Sequence, residues 1–254
     1  MKSLILYFLI IINILNIFSQ ENERKWLPTT LAQEEIVHHK YYSLAYFEAY
    51  ELASWVAYEL TSEMASGNLL YKAKYIPDNQ ITTKSATEKD YESSGYVMAQ
   101  LVPIIDMRFS EDAIKESFLM STIVPQKMAF NKYTWEKLNN LVNAWAKQRG
   151  RLIVVSGPVL KDAPFPVIGK NKVSVPTRFY KVIIDPERLE GIGFVLPNHI
   201  TTGNLSSYVM PIRKVEEITG INFFSYLDDE IEEKVENELF DKTKWNIYLL
   251  DKNK

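Results

Sequence analysis

The chain has 254 residues, of which 24% are charged and 46% are apolar, with 9 Gly and 11 Pro. This composition excludes a collagen-like or wholly disordered protein. The absence of Cys excludes disulfides, thiolate chemistry and a Cys-ligated zinc. The formal charge of −3 gives no global positive field for nucleic acid, although a local basic groove is invisible in that sum. One sizeable hydrophobic core must therefore stabilise the fold.

Residues 1–20 have the pattern of a signal peptide. Lys2 supplies the charged start, residues 4–18 are apolar, and the chain turns polar after residue 20. An uncleaved membrane anchor is the alternative, but Asn13 and Asn16 interrupt a run that is already short for a span. We therefore predict a secreted or periplasmic protein with no stable membrane span after cleavage, and a single domain over 21–254.

The first predicted elements beyond the leader are a strand and a helix. Residues 34–46 are rich in β-branched and aromatic side chains and predict a strand. Leu52, Val56 and Leu60, with Trp55, are spaced by three and four residues and predict a helix.

The middle of the chain alternates irregular and apolar stretches. Residues 68–89 contain turn residues and little periodicity, which predicts a loop. Residues 96–105 are nearly continuously apolar and predict a buried strand broken by Pro103. Ser110 then predicts a capped helix start, and Thr134 predicts the cap of a longer helix.

The longer helix is predicted to end at Gly150, after a basic last turn. Beyond it, three strands are predicted at 151–160, 173–185 and 191–197. Two helices are predicted to follow, at 212–219 and 228–239. Because the strands are not regularly separated by helices, the order favours an α+β fold over a doubly wound sheet.

Several motifs along the chain carry a resemblance to a known family. They are DYESSGY at 90–96, LVP at 101–103, Asp106-Met107, STIVPQ at 121–126, FNKYTW at 130–135, SGPV at 156–159 and VSVP at 173–176. This pattern resembles the DNA/RNA non-specific endonuclease family, the ββα-metal group that includes endonuclease G. The resemblance covers most of the chain beyond the leader. It implies an α+β ββα-metal (His-Me finger) nuclease fold, in which an antiparallel sheet is flanked by helices in a single domain.

The resemblance also implies catalytic positions. The family uses an Asp-Arg-Gly-His segment, whose His is the general base, and an Asn that binds one Mg²⁺. In the register set by the flanking motifs, Val97, Met98, Ala99 and Gln100 replace those four residues. Gln100 therefore occupies the general-base position, Val97 and Met98 are degenerate substrate-binding positions, and Asn131 matches the metal ligand.

Other family positions are replaced as well. The Asn expected ahead of the Pro-Gln pair falls on Thr122, and the Glu and Arg expected on the following helix fall on Asn139 and Asn143. An upstream substrate-binding Arg is also implied, and its nearest candidates are Tyr71 and Lys72.

These replacements have chemical consequences. An imidazole with a pKa of about 6.5 can accept a proton from water at neutral pH, whereas the Gln100 amide can only hydrogen-bond that water. A lost general base costs roughly 10²- to 10⁴-fold in rate. Asn131 offers Mg²⁺ one oxygen, but the carboxylates that would hold the ion's waters are gone. We therefore expect Mg²⁺ binding to be weak or lost.

Each of these residues also has a structural interpretation. The three apolar substitutes at 97–99 are core residues of a strand, Gln100 is a hydrogen-bonded polar residue, and Asn131 holds backbone groups at the start of a helix. A relocated base would have to be one of the three histidines, His38, His39 and His199. For each of them a structural or exposed position is the simpler interpretation.

Three functions remain open. The leading hypothesis is an exported, catalytically silent or severely impaired nuclease relative that keeps the cleft and binds nucleic acid or a protein partner. The second is an active Mg²⁺-dependent phosphodiesterase that hydrolyses DNA and RNA, which requires His38 or His39 beside Asn131. The third is a structural or inhibitory partner of an active paralogue.

Overall fold

The computed structural model describes residues 26–199, 204–238, 241 and 244–245. The predicted signal peptide, residues 1–20, lies outside the described residues, as does the end of the helix predicted at 228–239. None of the described helices has the length and apolar character needed to cross a membrane.

A seven-stranded antiparallel sheet forms the centre of the molecule, in the order β1-β2-β3-β6-β9-β10-β11. Its strands are β1 Glu35–His38, β2 Ser43–Phe47, β3 Leu52–Thr61, β6 Arg151–Pro158, β9 Arg178–Asp185, β10 Glu190–Pro197 and β11 Val209–Met210. Two smaller antiparallel pairs lie outside it: β4 Val97–Gln100 with β5 Ile123–Gln126, and β7 Val167–Ile168 with β8 Val173–Ser174.

Six α-helices are labelled within the described residues. They are α1 Ser62–Ala65, α2 Ile104–Met107, α3 Glu111–Glu116, α4 Glu136–Arg149, α5 Ile212–Thr219 and α6 Asp229–Glu236. A helical turn, Met128–Phe130, and a π-helical turn, Asn131–Trp135, lead directly into α4. Strands β4 and β5 thus form a two-stranded antiparallel unit with α2 and α3 between them in the chain, and the long helix α4 follows β5.

Both faces of the central sheet are buried. Along β9, Phe179 and Ile183 belong to one core cluster, whereas Tyr180 and Val182 belong to the other, as the two-residue period of a strand requires. The first cluster is completed by α4 and the β4–β5 unit, and the second by α5 and α6. The sheet therefore separates the layer that contains β4, β5 and α4 from the layer of α5 and α6, and the α+β prediction is confirmed.

The helix predicted at Leu52, Val56 and Leu60 is wrong, because these residues lie in strand β3. Val56 and Leu60 face one core cluster and Trp55 faces the other. A strand buried on both faces is apolar at nearly every position, so apolar residues also occur at the three- and four-residue spacings of a helix.

Two predicted boundaries also differ. The strand predicted at 96–105 ends at Gln100, and the chain after Pro103 forms α2. The chain is helical before Thr134, which lies inside the π-helical turn rather than at a cap. The predicted end of α4 is confirmed, since Gly150 follows it with φ +93°, a region that favours Gly.

Candidate functional site

A cleft of about 430 Å³ opens between β4, α2 and the start of α4. Strand alternation places Met98 and Gln100 on the same side of β4, and both residues line the cleft. On the opposite wall, Asn131, Trp135 and Asn139 are spaced by four residues and so share one helical face. The sequence prediction that Gln100 and Asn131 belong to one site is consistent with this geometry.

The Gln100 amide is held by backbone groups. Its Nε2 donates to the Ser117 carbonyl oxygen at 2.8 Å, and its Oε1 accepts from the Ile104 N–H at 3.3 Å. The Gln100 carbonyl oxygen accepts a hydrogen bond from Trp135 Nε1 at 3.1 Å. The amide at the general-base position therefore connects β4 to α2 and to the end of α3.

One of the two polar atoms of the Asn131 amide forms a hydrogen bond within the protein. Its Nδ2 donates to Gln126 Oε1 at 3.0 Å, which leaves Asn131 Oδ1 as the atom that can accept a hydrogen bond or ligate a cation. Gln126 is fully buried, and its Nε2 has no hydrogen-bond partner among the described residues.

Asn139 also lines the cleft and is only 6% exposed. Its Oδ1 is buried and has no hydrogen-bond partner within the described chain. Burial of an unpaired polar atom costs free energy, so this oxygen is an unsatisfied acceptor that the fold keeps out of contact with solvent.

Three of the matched positions do not line the cleft. Asn143 is buried and donates from Nδ2 to Asp106 Oδ1 at 2.9 Å. Thr122 is fully buried, and its hydroxyl donates to the Leu119 carbonyl oxygen at 3.0 Å. Both side chains satisfy groups of the protein itself. Val97 is half-buried on β4 and is likewise not part of the cleft lining.

A buried polar network lies behind the cleft. Asp106 is fully buried and also accepts a hydrogen bond from the Tyr58 hydroxyl at 2.8 Å. Burial raises the pKa of Asp106 to about 6, even though the hydrogen bonds from Asn143 and Tyr58 favour its charged form. Lys181 donates to Ser156 Oγ at 2.6 Å, and burial lowers its pKa to about 8.

The histidines occupy other surroundings. His39 Nε2 lies 2.8 Å from Asp78 Oδ2, and Gln80 Nε2 donates to His39 Nδ1 at 3.1 Å. Burial alone raises the pKa of Asp78, but hydrogen bonds from His39 and Ser121 outweigh it and lower that pKa. His39 lines a separate cavity beside Tyr58, so its ring belongs to a structural network there.

The other two histidines are both exposed. His38 Nδ1 lies 2.8 Å from Ser43 Oγ, in the strand pair β1–β2. The His199 N–H donates to the Pro197 carbonyl oxygen at 2.8 Å, in the turn after β10. None of the three histidines is among the residues that line the cleft.

Arg108 is a cleft residue that the sequence analysis missed. It follows α2 and lines both the cleft and an adjoining cavity of about 360 Å³. The adjoining cavity contains Tyr71 and Lys72, the two residues predicted near a substrate-binding position, and both side chains are exposed. The only sequence signal for Arg108 is its position directly after the Asp106-Met107 motif.

The antiparallel sheet, the paired strands β4 and β5, the helix α4 and the cleft beside them are the arrangement of the ββα-metal nuclease fold. The sequence pattern of the DNA/RNA non-specific endonucleases matches residues 19–230, and the chain belongs to that family.

Relatives of this chain include mitochondrial nucleases. It is 33% identical over 172 residues to the mitochondrial nuclease EXOG of Xenopus laevis, which covers 61% of this chain and 48% of that protein. It is 29% identical over 156 residues to human mitochondrial endonuclease G, which covers 54% of this chain and 51% of that protein. The chain thus spans about half the length of these curated relatives.

A solved structure is similar over most of the fold. The crystal structure of the EndoG/EndoGI complex, described as showing the mechanism of EndoG inhibition, matches with a TM-score of 0.73 and 26% sequence identity. The match covers 81% of this chain and 91% of that one.

The family is metal-dependent and generally uses Mg²⁺, but the cleft residues do not fit such an ion well. Asn131 Oδ1 and Asn139 Oδ1 are neutral oxygens, and Glu136 at the rim is the one carboxylate among the described lining residues. No group of three or more His, Cys, Asp or Glu side chains in the described part of the chain could hold a metal. Mg²⁺ prefers carboxylates that bind the ion or its waters.

Proposed function

We propose that this protein is an exported, catalytically impaired member of the nuclease family whose cleft binds nucleic acid without efficient cleavage. The observation that carries the proposal is the Gln100 side chain, since an amide stands where a proton acceptor is needed and its oxygen and nitrogen are both bonded to backbone. An amide cannot take the proton of an attacking water at neutral pH.

The charge of the cleft supports the same proposal. Hydrolysis of a phosphodiester requires stabilisation of developing negative charge, usually by metal ions and cationic side chains. Arg108 is the one cation in the described lining, and Glu136 offsets it. We therefore propose that Mg²⁺ affinity is weak or lost.

A nuclease assay tests the proposal. The purified protein is incubated with supercoiled plasmid and with single-stranded RNA, in Mg²⁺ and separately in Mn²⁺, beside an Asn131→Ala variant. We expect no turnover above a mock purification in either metal. Turnover that Asn131→Ala abolishes, while the matched surface variant Lys214→Ala leaves it unchanged, identifies an active metal-dependent phosphodiesterase and contradicts the proposal.

A gain-of-function variant gives an independent test. The substitutions Val97→Asp, Met98→Arg, Ala99→Gly and Gln100→His restore the family segment, and Asn139→Glu adds a carboxylate to the same cleft. If the replaced residues are the cause of impairment, the combined variant gains Mg²⁺-dependent plasmid nicking. A variant that folds, by circular dichroism, and still lacks activity contradicts that cause.

Export is tested separately. N-terminal sequencing of the protein recovered from the medium or periplasm should begin near residue 21. Recovery only from the membrane fraction with Met1 retained would support the anchor instead.

A further inference from the structure

We infer that Asn204 is a site of N-linked glycosylation, where the side-chain amide carries an oligosaccharide attached through an N-acetylhexosamine. The inference rests on the proposed function, because it requires the export proposed there, and it assigns that export to the secretory pathway of a eukaryotic cell. Asn204 is not among the residues that line the cleft, so the modification is independent of the nuclease positions.

The sequence at Asn204 meets the requirement for an acceptor. Asn204-Leu205-Ser206 has the pattern Asn-X-Ser, in which X is not Pro. No other Asn of the 254 residues is followed two positions later by Ser or Thr. A three-residue motif also occurs by chance, so its place in the fold decides whether it can carry a sugar.

The Asn204 side chain is available for modification. It is exposed, and its backbone is extended, with φ −68° and ψ 151°. Asn204 directly precedes the 3-10 helical turn Leu205–Tyr208, yet its side chain forms no capping hydrogen bond with that turn. The amide that would carry the sugar is therefore not used to cap the turn.

Asn198, which follows β10 on the same connection, shows the opposite arrangement. It is buried, and its Nδ2 donates to the carbonyl oxygens of Pro176 at 2.9 Å and Pro125 at 3.2 Å. Its Oδ1 accepts from the Lys127 N–H at 2.9 Å. A sugar on that nitrogen would remove buried hydrogen bonds, whereas a sugar on Asn204 displaces no side-chain hydrogen bond of the described residues.

The residues after Asn204 hold it at the surface. Leu205 is only 4% exposed and belongs to the core cluster that α4 completes. The Ser207 N–H donates to the Asn204 carbonyl oxygen at 2.9 Å and closes the turn. Because Leu205 is anchored in the core, Asn204 stays exposed in the connection between β10 and the edge strand β11. An oligosaccharide is bulky and solubilising, and a surface connection of this kind accepts it without disturbing the core.

The transfer forms one bond and breaks another. Asn204 Nδ2 gives a proton to a base of the transferase and bonds to C1 of the sugar. The donor is an oligosaccharide on a lipid diphosphate, and its C1–O bond breaks with the electron pair leaving on the diphosphate. The product amide keeps its carbonyl oxygen and one N–H, and no oxidant or reductant is consumed.

Expression of the full chain, with residues 1–20 in place, in a secreting eukaryotic cell line tests the inference. Protein from the medium is treated with peptide N-glycosidase and compared with untreated protein on a denaturing gel. We expect the untreated protein to migrate more slowly. After treatment, mass spectrometry of the tryptic peptide should find Asn204 deamidated, because the enzyme releases the sugar together with the amide nitrogen.

Asn204→Gln and Ser206→Ala should each abolish the mobility shift, whereas Ser206→Thr should keep it, because Thr also completes the motif. Ser207→Ala is the matched control, since Ser207 is exposed in the same turn but lies outside the motif, and it should leave the shift unchanged. A shift that persists in Ser206→Ala overturns the inference.

The fate of the protein separates the two proposals. Secreted protein with an unmodified Asn204 overturns the inference and leaves the proposed export in place. Unmodified protein that stays inside the cell contradicts the export and overturns the inference with it. The nuclease assay reports the proposed impairment separately, because catalysis depends on the cleft and Asn204 lies outside its lining.

Discussion

The Gln100 side chain donates from Nε2 to the carbonyl oxygen of Ser117 at 2.8 Å, and this bond ties the end of β4 to the residue that follows α3. Its Oε1 accepts from the N–H of Ile104, the first residue of α2. Backbone groups at helix ends lack intrahelical partners. The position that the family uses for proton transfer thus satisfies two helix ends in this chain.

We expect Gln100→Leu to lower the free energy of unfolding by about 1–3 kcal/mol, because it leaves the Ser117 carbonyl and the Ile104 N–H without their partners. Urea denaturation followed by circular dichroism measures the change. The control is Asn140→Leu on the exposed side of α4, which should alter stability by less than about 0.5 kcal/mol. Equal losses in both variants would show that the Gln100 bonds are not important for folding.

The buried Asp106 carboxyl makes stability depend on pH. Its pKa in the folded protein is about 6, above the ordinary 3.8, mainly because of burial. Between these values the native state holds a proton that the unfolded chain has lost, so stability falls as pH rises from about 4 to about 6. The fall is complete near pH 6 and amounts to about 3 kcal/mol at most.

Asp106→Asn removes this titration while keeping a side chain that Asn143 can still bond. We expect the difference in unfolding free energy between wild type and variant to change across pH 4 to 6 and to be constant below that range. Urea titrations at intervals of pH measure it, and taking the difference cancels the other carboxyl groups. A constant difference across the window would contradict the raised pKa.

Sequence patterns predicted much of the fold because most elements carry their own signals. The stop at Gly150 and the helix Ile212–Thr219 agree with the structure. Strand β3 could not be recognised in this way. Its two faces pack against different layers, and that burial is set by α4 on one side and by the segment around Trp26 and Phe224 on the other.

For the site, motif register predicted which residues replace the family segment but not where each side chain points. Gln100, Asn131 and Asn139 line one cleft, whereas Asn143, one turn further along the same face of α4, bonds Asp106 behind the cleft. Arg108 was missed because its place beside Lys72 depends on how the loop before β4 packs, which has no periodic signal.

A second carboxyl group, Glu236, lies buried between α5 and α6. Its Oε2 is 2.7 Å from Arg213 Nη2, yet burial and then the neighbouring charge of Glu216 raise its pKa to about 8. Stability therefore falls as pH rises from about 4.5 to about 8. We expect Glu236→Gln to be more stable than wild type above pH 8 and equal to it in acid.

Thermal unfolding across this pH range measures the effect of Glu236→Gln. Glu233→Gln is the matched control, since Glu233 also contacts Arg213, at 3.0 Å, but is 71% exposed. An exposed pair contributes about 0–1 kcal/mol, so the control should show little dependence on pH. If Glu236→Gln is less stable than wild type above pH 8, the contact with Arg213 outweighs burial.

Arg149 at the end of α4 holds the segment around Trp245. Its Nε donates to Asp185 Oδ2 at 2.7 Å, its Nη1 donates to the Lys244 carbonyl oxygen at 2.8 Å, and its guanidinium lies 4.0 Å from the centre of the Trp245 ring. Asp185 is fully buried, so removal of Arg149 leaves a buried carboxylate with Arg188 as its remaining cation.

We expect Arg149→Met to lower the free energy of unfolding by about 3 kcal/mol, because the buried Asp185 carboxylate then keeps only the exposed Arg188 as its cation. Arg149→Lys should recover only part of this loss. A planar guanidinium can donate to Asp185 and to the Lys244 carbonyl while it stacks on the Trp245 ring, and an ammonium cannot replace all of these contacts. Guanidinium chloride denaturation measures both, and tryptophan emission should move to longer wavelength as Trp245 becomes exposed. Lys214→Met removes an exposed ion pair with Glu217 and should cost less than about 0.5 kcal/mol; an equal loss there would contradict the role given to burial.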